Sequence, residues 1–287
     1  MPPFDVSPVA AHELLAACRL LFAEERVEYA RGRLLADPSA SRVFVARDGG
    51  ATVAATVAQV LPGALAVLWP PRGEAVLARE AALVSACEWL KGRGVKVCQA
   101  FAVPGDADET EPLARAGFEQ TTQLVFLHRD LRGEALSQLE RWTLEADEPP
   151  FGDTFRDVLL RTHAGSCDCP ELHATRTEAE IVAGFADPAP GGEWYLVRYG
   201  EAPIGVAILA PGAEATETDL CYFGLVPEAR GRGLGAALVH ELLARLQAVG
   251  TLGVSLSVDA RNQPAARAYA RHGLVERDRR NVWLARW

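Results

Sequence analysis

The chain has 287 residues, enough for one large or two ordinary domains, and its hydrophobic content of 49% is that of a globular protein. A formal net charge of −9 argues against nucleic acid as the main partner, and solubility alone accounts for it. No run approaches membrane-spanning length, the N-terminal residues lack the basic-then-apolar order of a signal peptide, and the cytoplasm is the expected compartment.

Residues 4–9 read as a short strand, 10–25 as an amphipathic helix and 29–36 as a helical continuation ending before Pro38. Two segments, 42–47 and 51–58, make a hairpin around Asp48, Gly49 and Gly50. A strand at 64–69, a helix at 75–91, a strand at 95–103, a short helix at 110–116 and a strand at 123–128 follow. The order then recurs. A strand falls at 139–145, helices at 154–162 and 177–185, and a hairpin turns around Gly200 and Glu201. Repetition of a whole element order at this period means duplicated domains rather than a solenoid. The joint is placed in the polar, Gly-containing stretch 131–137, giving expected domains 1–132 and 133–287. The six cysteines (Cys18, Cys87, Cys98, Cys167, Cys169 and Cys221) lie mostly in apolar surroundings and suggest no disulfide framework.

Within the second half, residues 219–226 read as a strand that breaks at Pro227, crosses a basic, glycine-rich loop and enters a long helix. Leu234, Leu238, Leu242 and Leu246 mark the helix by their spacing. Arg230, Gly231, Arg232, Gly233 and Gly235 sit where loop becomes helix. Glycines let the backbone come close to a ligand, and the first helical N–H groups have no partner inside the helix. A phosphate placed there gains those donors, the positive end of the helix dipole and two arginines. The other reading of this stretch is a plain strand-to-helix connection.

The spacing Arg-x-x-Gly-x-Gly after an apolar strand resembles the acyl-CoA signature of the GNAT superfamily of N-acyltransferases. Downstream, Asn262, Ala265, Tyr269 and Gly273 match the intervals of that family's other motif. The resemblance implies an α/β fold: tandem GNAT-like mixed β-sheet domains flanked by helices. It implies acetyl-CoA as co-substrate, its pyrophosphate held by Arg230, Gly231, Arg232, Gly233, Leu234, Gly235 and Ala236. Pantetheine would lie along Leu225 and Val226 and near Asn262, with a backbone N–H near Leu225 meeting the thioester oxygen. Asn262 also reads as the start of a helix, so two roles compete for its amide.

Tyr269 falls on the tyrosine that acts as general acid in the family; a buried packing aromatic is the alternative. Asp219 stands where many members place a general-base glutamate, and its shorter side chain calls for a bridging water. Glu217, two residues earlier and on the same face, would share that work or bind the amine's charge. The alternative for both is a pair of solvated strand-edge carboxylates. The connection at 162–173 usually lines the acceptor pocket, and Asp168 there could pair with a cationic amine. His163, Cys167, Cys169 and His173 are zinc-ligand types, but Cys-x-Cys is tighter than usual zinc spacing, and no metal is expected. His12, His128, His240 and His272 read as surface or packing residues.

The first half resembles a GNAT domain that has lost its chemistry. Glu74 replaces an arginine, Ala75 and Leu77 replace two glycines, Leu113 stands opposite Tyr269, and Asp106 opposite Asn262. Its expected role is to pack against the active half and shape the acceptor cleft. The resulting expectation is an N-acetyltransferase acting on a primary amine of a small molecule by direct transfer, with no nucleic-acid or membrane partner. Only Cys221 would support a covalent acyl-enzyme. The alternatives are acylation of a protein N-terminus or lysine, and a non-catalytic acyl-CoA-binding regulatory module.

Overall fold

The computed structural model describes residues 4–37, 39–139, 141–187 and 191–287. In chain order the elements are β1 (Asp5–Pro8), α1 (Leu14–Leu21), α2 (Glu24–Ala36), β2 (Ser41–Asp48), β3 (Ala51–Leu61), β4 (Leu65–Leu68), β5 (Arg72–Gly73), α3 (Val76–Lys91), β6 (Val97–Ala102), α4 (Ala107–Arg115) and β7 (Glu119–Asp130). There follow β8 (Trp142–Asp147), α5 (Asp153–His163), α6 (Glu178–Ala183), β9 (Glu193–Tyr199), β10 (Ala202–Pro211), β11 (Glu217–Leu225), α7 (Leu234–Ala248), β12 (Gly253–Asp259), α8 (Gln263–Arg271) and β13 (Val275–Arg286). The chain divides into two compact units, Met1–Thr121 with Arg280–Trp287, and Thr122–Arg279.

The first unit is a mixed sheet. β1, β2, β3 and β4 pair antiparallel in order, β4 pairs parallel with β6, and the end of β13 runs antiparallel to β6 from Asn281↔Ala102 to Arg286↔Val97. Gly49 and Gly50, both at positive φ, turn the β2–β3 hairpin. The core joins Phe44, Leu68, Leu83, Leu90, Leu113 and Phe118. Ala46 and Ala54 meet Ala78 and Ala82, small residues that let α3 lie close on its strands.

The second unit has the same strand order. β8, β9, β10 and β11 pair antiparallel, β11 pairs parallel with β12, and β7 closes the sheet antiparallel to β12 from Gly253↔Asp130 to Asp259↔Leu124. Phe155, Leu159, Val206, Leu220, Leu238, Leu242 and Leu256 fill its core. A capping box between Thr177 and Glu180 starts α6.

The mixed α/β architecture expected from the sequence is present, with differences in detail. The helix expected over 10–25 is two, because Phe22 and Ala23 are extended and Glu24 and Glu25 open the first turn of α2. Pro38, expected to end α2, and Glu140, within the strand expected at 139–145, lie outside the described residues. The units also divide elsewhere than at residue 132. Most of β7 belongs to the second unit and the chain's last residues to the first, so each sheet is completed by a strand from the other half of the sequence. Among the described residues no helix is long and apolar enough to cross a membrane.

Candidate active site

The site begins with a strand that leaves its neighbour. β11 pairs with β10 from Thr218↔Pro211 to Leu225↔Gly205, but with β12 only from Glu217↔Gly253 to Leu220↔Leu256. Among the described residues the edge of Cys221–Leu225 toward β12 has no strand partner, while β12 runs on to Asp259. The register with β10 shifts at the same place: Leu209 pairs Leu220 and Ile208 pairs Tyr222, leaving Cys221 as the extra residue of a bulge. A bulge bends its strand and resets the alternation of side chains. Val206, Ile208 and Ala210 share one face, so their partners Gly224, Tyr222 and Asp219 do too. Glu217 lies on that face as expected. Gly224 admits no side chain, since a Cβ would fall 2.8 Å from Cβ of Thr162 and 2.9 Å from the Tyr222 hydroxyl.

Beyond Leu225, the loop carries Gly231 at φ 72° and Gly233 at φ 77°, and among the described residues nothing beyond its chain neighbours lies within 4 Å of where a Cβ on either would stand. Gly233 is the N-cap of α7 and offers no side chain to it. Among the described residues nothing accepts from the N–H groups of Leu234, Gly235 and Ala236, and exposed Arg232 has no partner. Open space, unpaired amides, the helix dipole and a free guanidinium fit an anionic group such as the pyrophosphate of acetyl-CoA. Arg230 is placed differently. Its guanidinium donates to carbonyls of Leu225 (2.9 Å), Ala164 (2.7 Å) and Thr162 (2.7 Å), tying the loop to the C-terminal end of α5. Helix-end carbonyls lack internal partners and sit at the negative end of the dipole, so they attract this cation.

Tyr269 lies on α8 and is buried. Burial, then the charges of Asp168 and Tyr222, pushes its hydroxyl well above the ordinary tyrosine range, which keeps the proton in place. Asn262 caps α8 by accepting from the Ala265 N–H at 3.3 Å, which commits its oxygen and leaves its NH₂ group. Asp168 accepts from the Asp259 N–H at 3.0 Å, while Asp259 accepts from the Cys169 N–H at 3.0 Å. Burial pushes the Asp168 carboxyl upward. Asp168 thus fastens its loop to the end of β12, and Glu171 reinforces the link through Arg261 at 2.7 and 2.9 Å.

On the face shared by Glu217 and Asp219 lies an open cleft of about 560 Å³. Its lining includes Phe126 and His128 of β7, Asp219 and Cys221 of β11, Ser255 and Ser257 of β12, and Arg277 of β13. Burial, and after it the charge of Glu217, pushes the Asp219 carboxyl above the ordinary aspartate value, making it a stronger base once ionised. Burial pushes the Cys221 thiol up to about 11, so it is not a thiolate at neutral pH and lacks the activation a nucleophile needs. Asp168 is not among the lining residues.

His128, read from the sequence as surface or packing, stands in this cleft with Nε2 3.2 Å from Glu217 Oε1. Gly253 makes the pairing possible, because a Cβ there would lie 2.9 Å from both atoms. The sequence signal was absent: β7 is read as part of the first domain, and nothing local says that it closes the second sheet.

The loop after α5 holds a second, buried group. The His163 and His173 rings lie 4.0 Å apart, and His163 also meets Phe185 and Tyr222. Burial, with His173, Arg176 and Arg230, pushes His163 down to about 3; burial and Arg176 push His173 down to about 4. Both rings are therefore neutral at pH 7. Among the described residues no group of three or more His, Cys, Asp or Glu side chains could hold a metal ion.

This geometry meets known proteins at several points. A model described as Acetyltransferase (GNAT) family matches residues 154–274, within the second unit. An uncharacterized N-acetyltransferase of Mycobacterium bovis is 39% identical over 127 residues, covering 42% of this chain and 81% of that one. A mycothiol acetyltransferase of a Nocardioides species is 32% identical over 197 residues, covering 61% of this chain and 64% of its own. One from Geodermatophilus obscurus is 28% identical, and the match spans 65% of it, so this chain covers just under two thirds of both mycothiol acetyltransferases. The crystal structure of a GCN5-related N-acetyltransferase from Sphaerobacter thermophilus superposes with a TM-score of 0.66 at 16% identity, covering 100% of this chain and 96% of that one. A tandem GNAT protein from the clavulanic acid biosynthesis pathway gives 0.60 at 17%, covering 99% and 98%. The chain belongs to the GNAT family of acetyltransferases, a membership that implies an acetyl-CoA-binding site.

Proposed function

We propose that the protein transfers the acetyl group of acetyl-CoA directly to a primary amine in its second unit. The first unit, under this reading, is a degenerate copy that binds no acetyl-CoA. The observation that carries the reading is the parting of β11 from β12 after Leu220↔Leu256, taken with the open N-terminus of α7 and the buried Tyr269.

Unpaired amides at Leu234, Gly235 and Ala236, with Arg232, would hold the pyrophosphate, and the free edge of Cys221–Leu225 would receive the pantetheine as an added strand. Acetyl-CoA supplies an acyl group activated as a thioester. Asp219, in the cleft, accepts the proton that the amine surrenders as its nitrogen bonds to the acyl carbon. Tyr269, held protonated, donates to the sulfur as the C–S bond breaks. The products are an N-acetyl amine and free CoA, with no covalent enzyme intermediate. Arg230 sets the loop rather than contacting phosphate, and Asp168 holds the 162–173 connection against β12.

A panel of amines assayed for release of the CoA thiol tests the reading. Acceptor-dependent release and one acetyl-CoA site per chain by calorimetry are expected. Tight acetyl-CoA binding without turnover on amines, peptides or proteins would make the protein a binding module, and two sites of similar affinity would overturn the silent first unit.

A further inference from the structure

The acceptor cleft contains more polar equipment than acid–base chemistry requires. In the second unit Arg232, Arg267, Arg271 and Arg277 make no hydrogen bond or ion pair among the described residues, and of these only Arg277 lines the cleft. Most other arginines of that unit are engaged: Arg129 with a carbonyl, Arg245 and Arg261 with carboxylates, Arg230 with three carbonyls. Ser255 and Ser257, also in the lining, have hydroxyls with no described partner. Asp219 supplies the opposite charge.

Arg277 and Ser257 are exposed to solvent, and a ligand that covers them must satisfy them or leave them desolvated and unpaired, which costs more than the contacts return. An apolar amine would strand Arg277. A polyamine would place a second cation beside it. A guanidinium presents a planar fork that matches carboxylate and phosphate oxygens. From this arrangement we infer that the acceptor is an amine that also carries an oxyanion, a carboxylate or a phosphate, bound by Arg277 while the amine faces Asp219. The inference rests on the proposed reading of the cleft as the acceptor site.

The test uses matched pairs: amino acids against their carboxamides, and glucosamine 6-phosphate against glucosamine. The intact chain should prefer the anionic member of at least one pair in kcat/KM, and the pair concerned tells carboxylate from phosphate. Arg277→Gln should reduce that preference about 10- to 150-fold, the range of a lost charge-assisted hydrogen bond. Arg267→Gln, exposed on α8 and outside the cleft, should leave the ratio as it was. Equal or greater use of the neutral members, or a ratio unmoved by Arg277→Gln, would overturn the inference. If nothing is acetylated, the transfer reading fails for these amines while Arg277 is still judged by binding. The same pairs are then titrated onto CoA-loaded protein by NMR, where equal affinity of both members would sink the inference.

Discussion

The two units build the same sheet and part company where a ligand would bind. Val76 begins α3 as Leu234 begins α7, yet the N-caps before them differ: Ala75 at φ −87° and Gly233 at φ 77°. Asp106 caps α4 by accepting from Glu109 N–H, as Asn262 caps α8 by accepting from Ala265 N–H. Gly117 and Gly273 follow those helices, both at positive φ. Fully buried Leu113 occupies the position of Tyr269. Arg72, the counterpart of Arg230, ion-pairs with buried Glu109, which also accepts from Val103 N–H at 2.6 Å. The first unit therefore has the same kind of helix cap and the same glycine turn as the second at these two places. Arg72 is paired within the first unit, whereas the second unit leaves the first amides of α7, two cleft hydroxyls and the guanidiniums of Arg232 and Arg277 open among the described residues. Caps and glycine turns are conditions of folding, and only the open groups are conditions of binding.

The largest break in the comparison should come at Tyr269. Tyr269→Phe should cut turnover by about 100- to 10,000-fold while acetyl-CoA affinity stays put, because a proton donor is lost and the ring remains. Unchanged turnover on a good acceptor would reduce Tyr269 to packing, the role Leu113 has in the first unit.

A second difference is one of pH. The folded second unit holds His163 at about 3 and His173 at about 4, both below the unfolded value of 6.5. A depressed histidine favours the neutral form, so the stability it protects is complete above pH 6.5 and is lost as pH falls from there toward 4. Each ring contributes a slope of up to about 1.4 kcal/mol per pH unit in that window. The first unit carries only exposed His12 and should lack this dependence. Hydrogen exchange at pH 7, 6 and 5, read separately for the amides of each unit, measures it. Equal slopes in both units would remove the histidine pair as the cause.

Gly233→Val should weaken acetyl-CoA binding by about tenfold or more, since a left-handed backbone costs an ordinary residue about 1–2 kcal/mol and a side chain intrudes on the site. Ala75→Val, at the matching position of the first unit, should not change affinity by calorimetry. The smallest effect concerns Glu217, whose charge adds to the raised carboxyl of Asp219. Glu217→Gln should move the acidic limb of the kcat/KM profile to lower pH. A limb that stays in place would assign it to another group.

Much of this was legible in residue order. Hairpin glycines, helix caps, the stripe of α7, both motifs of the second half and the different residues at the matching positions of the first depend on neighbours a few residues apart, where backbone geometry dictates side-chain chemistry. What was not legible is non-local. No adjacent residue tells β7 that it will lie against β12, or the chain's last strand that it will lie against β6. With β7 comes His128, brought to Glu217 across 89 positions of sequence. Arg230 read as a phosphate ligand because its spacing is that of one, and only packing showed the end of α5 beneath it. Simple alternation along β11 could not reveal the bulge at Cys221 that carries Tyr222 onto the face of Asp219. Sequence alone determined the family and the local geometry of its loops, because those conditions are met within a turn or a hairpin. The tertiary structure decided which charges stay free to meet a ligand, because a charge is free only when no distant part of the chain has reached it first.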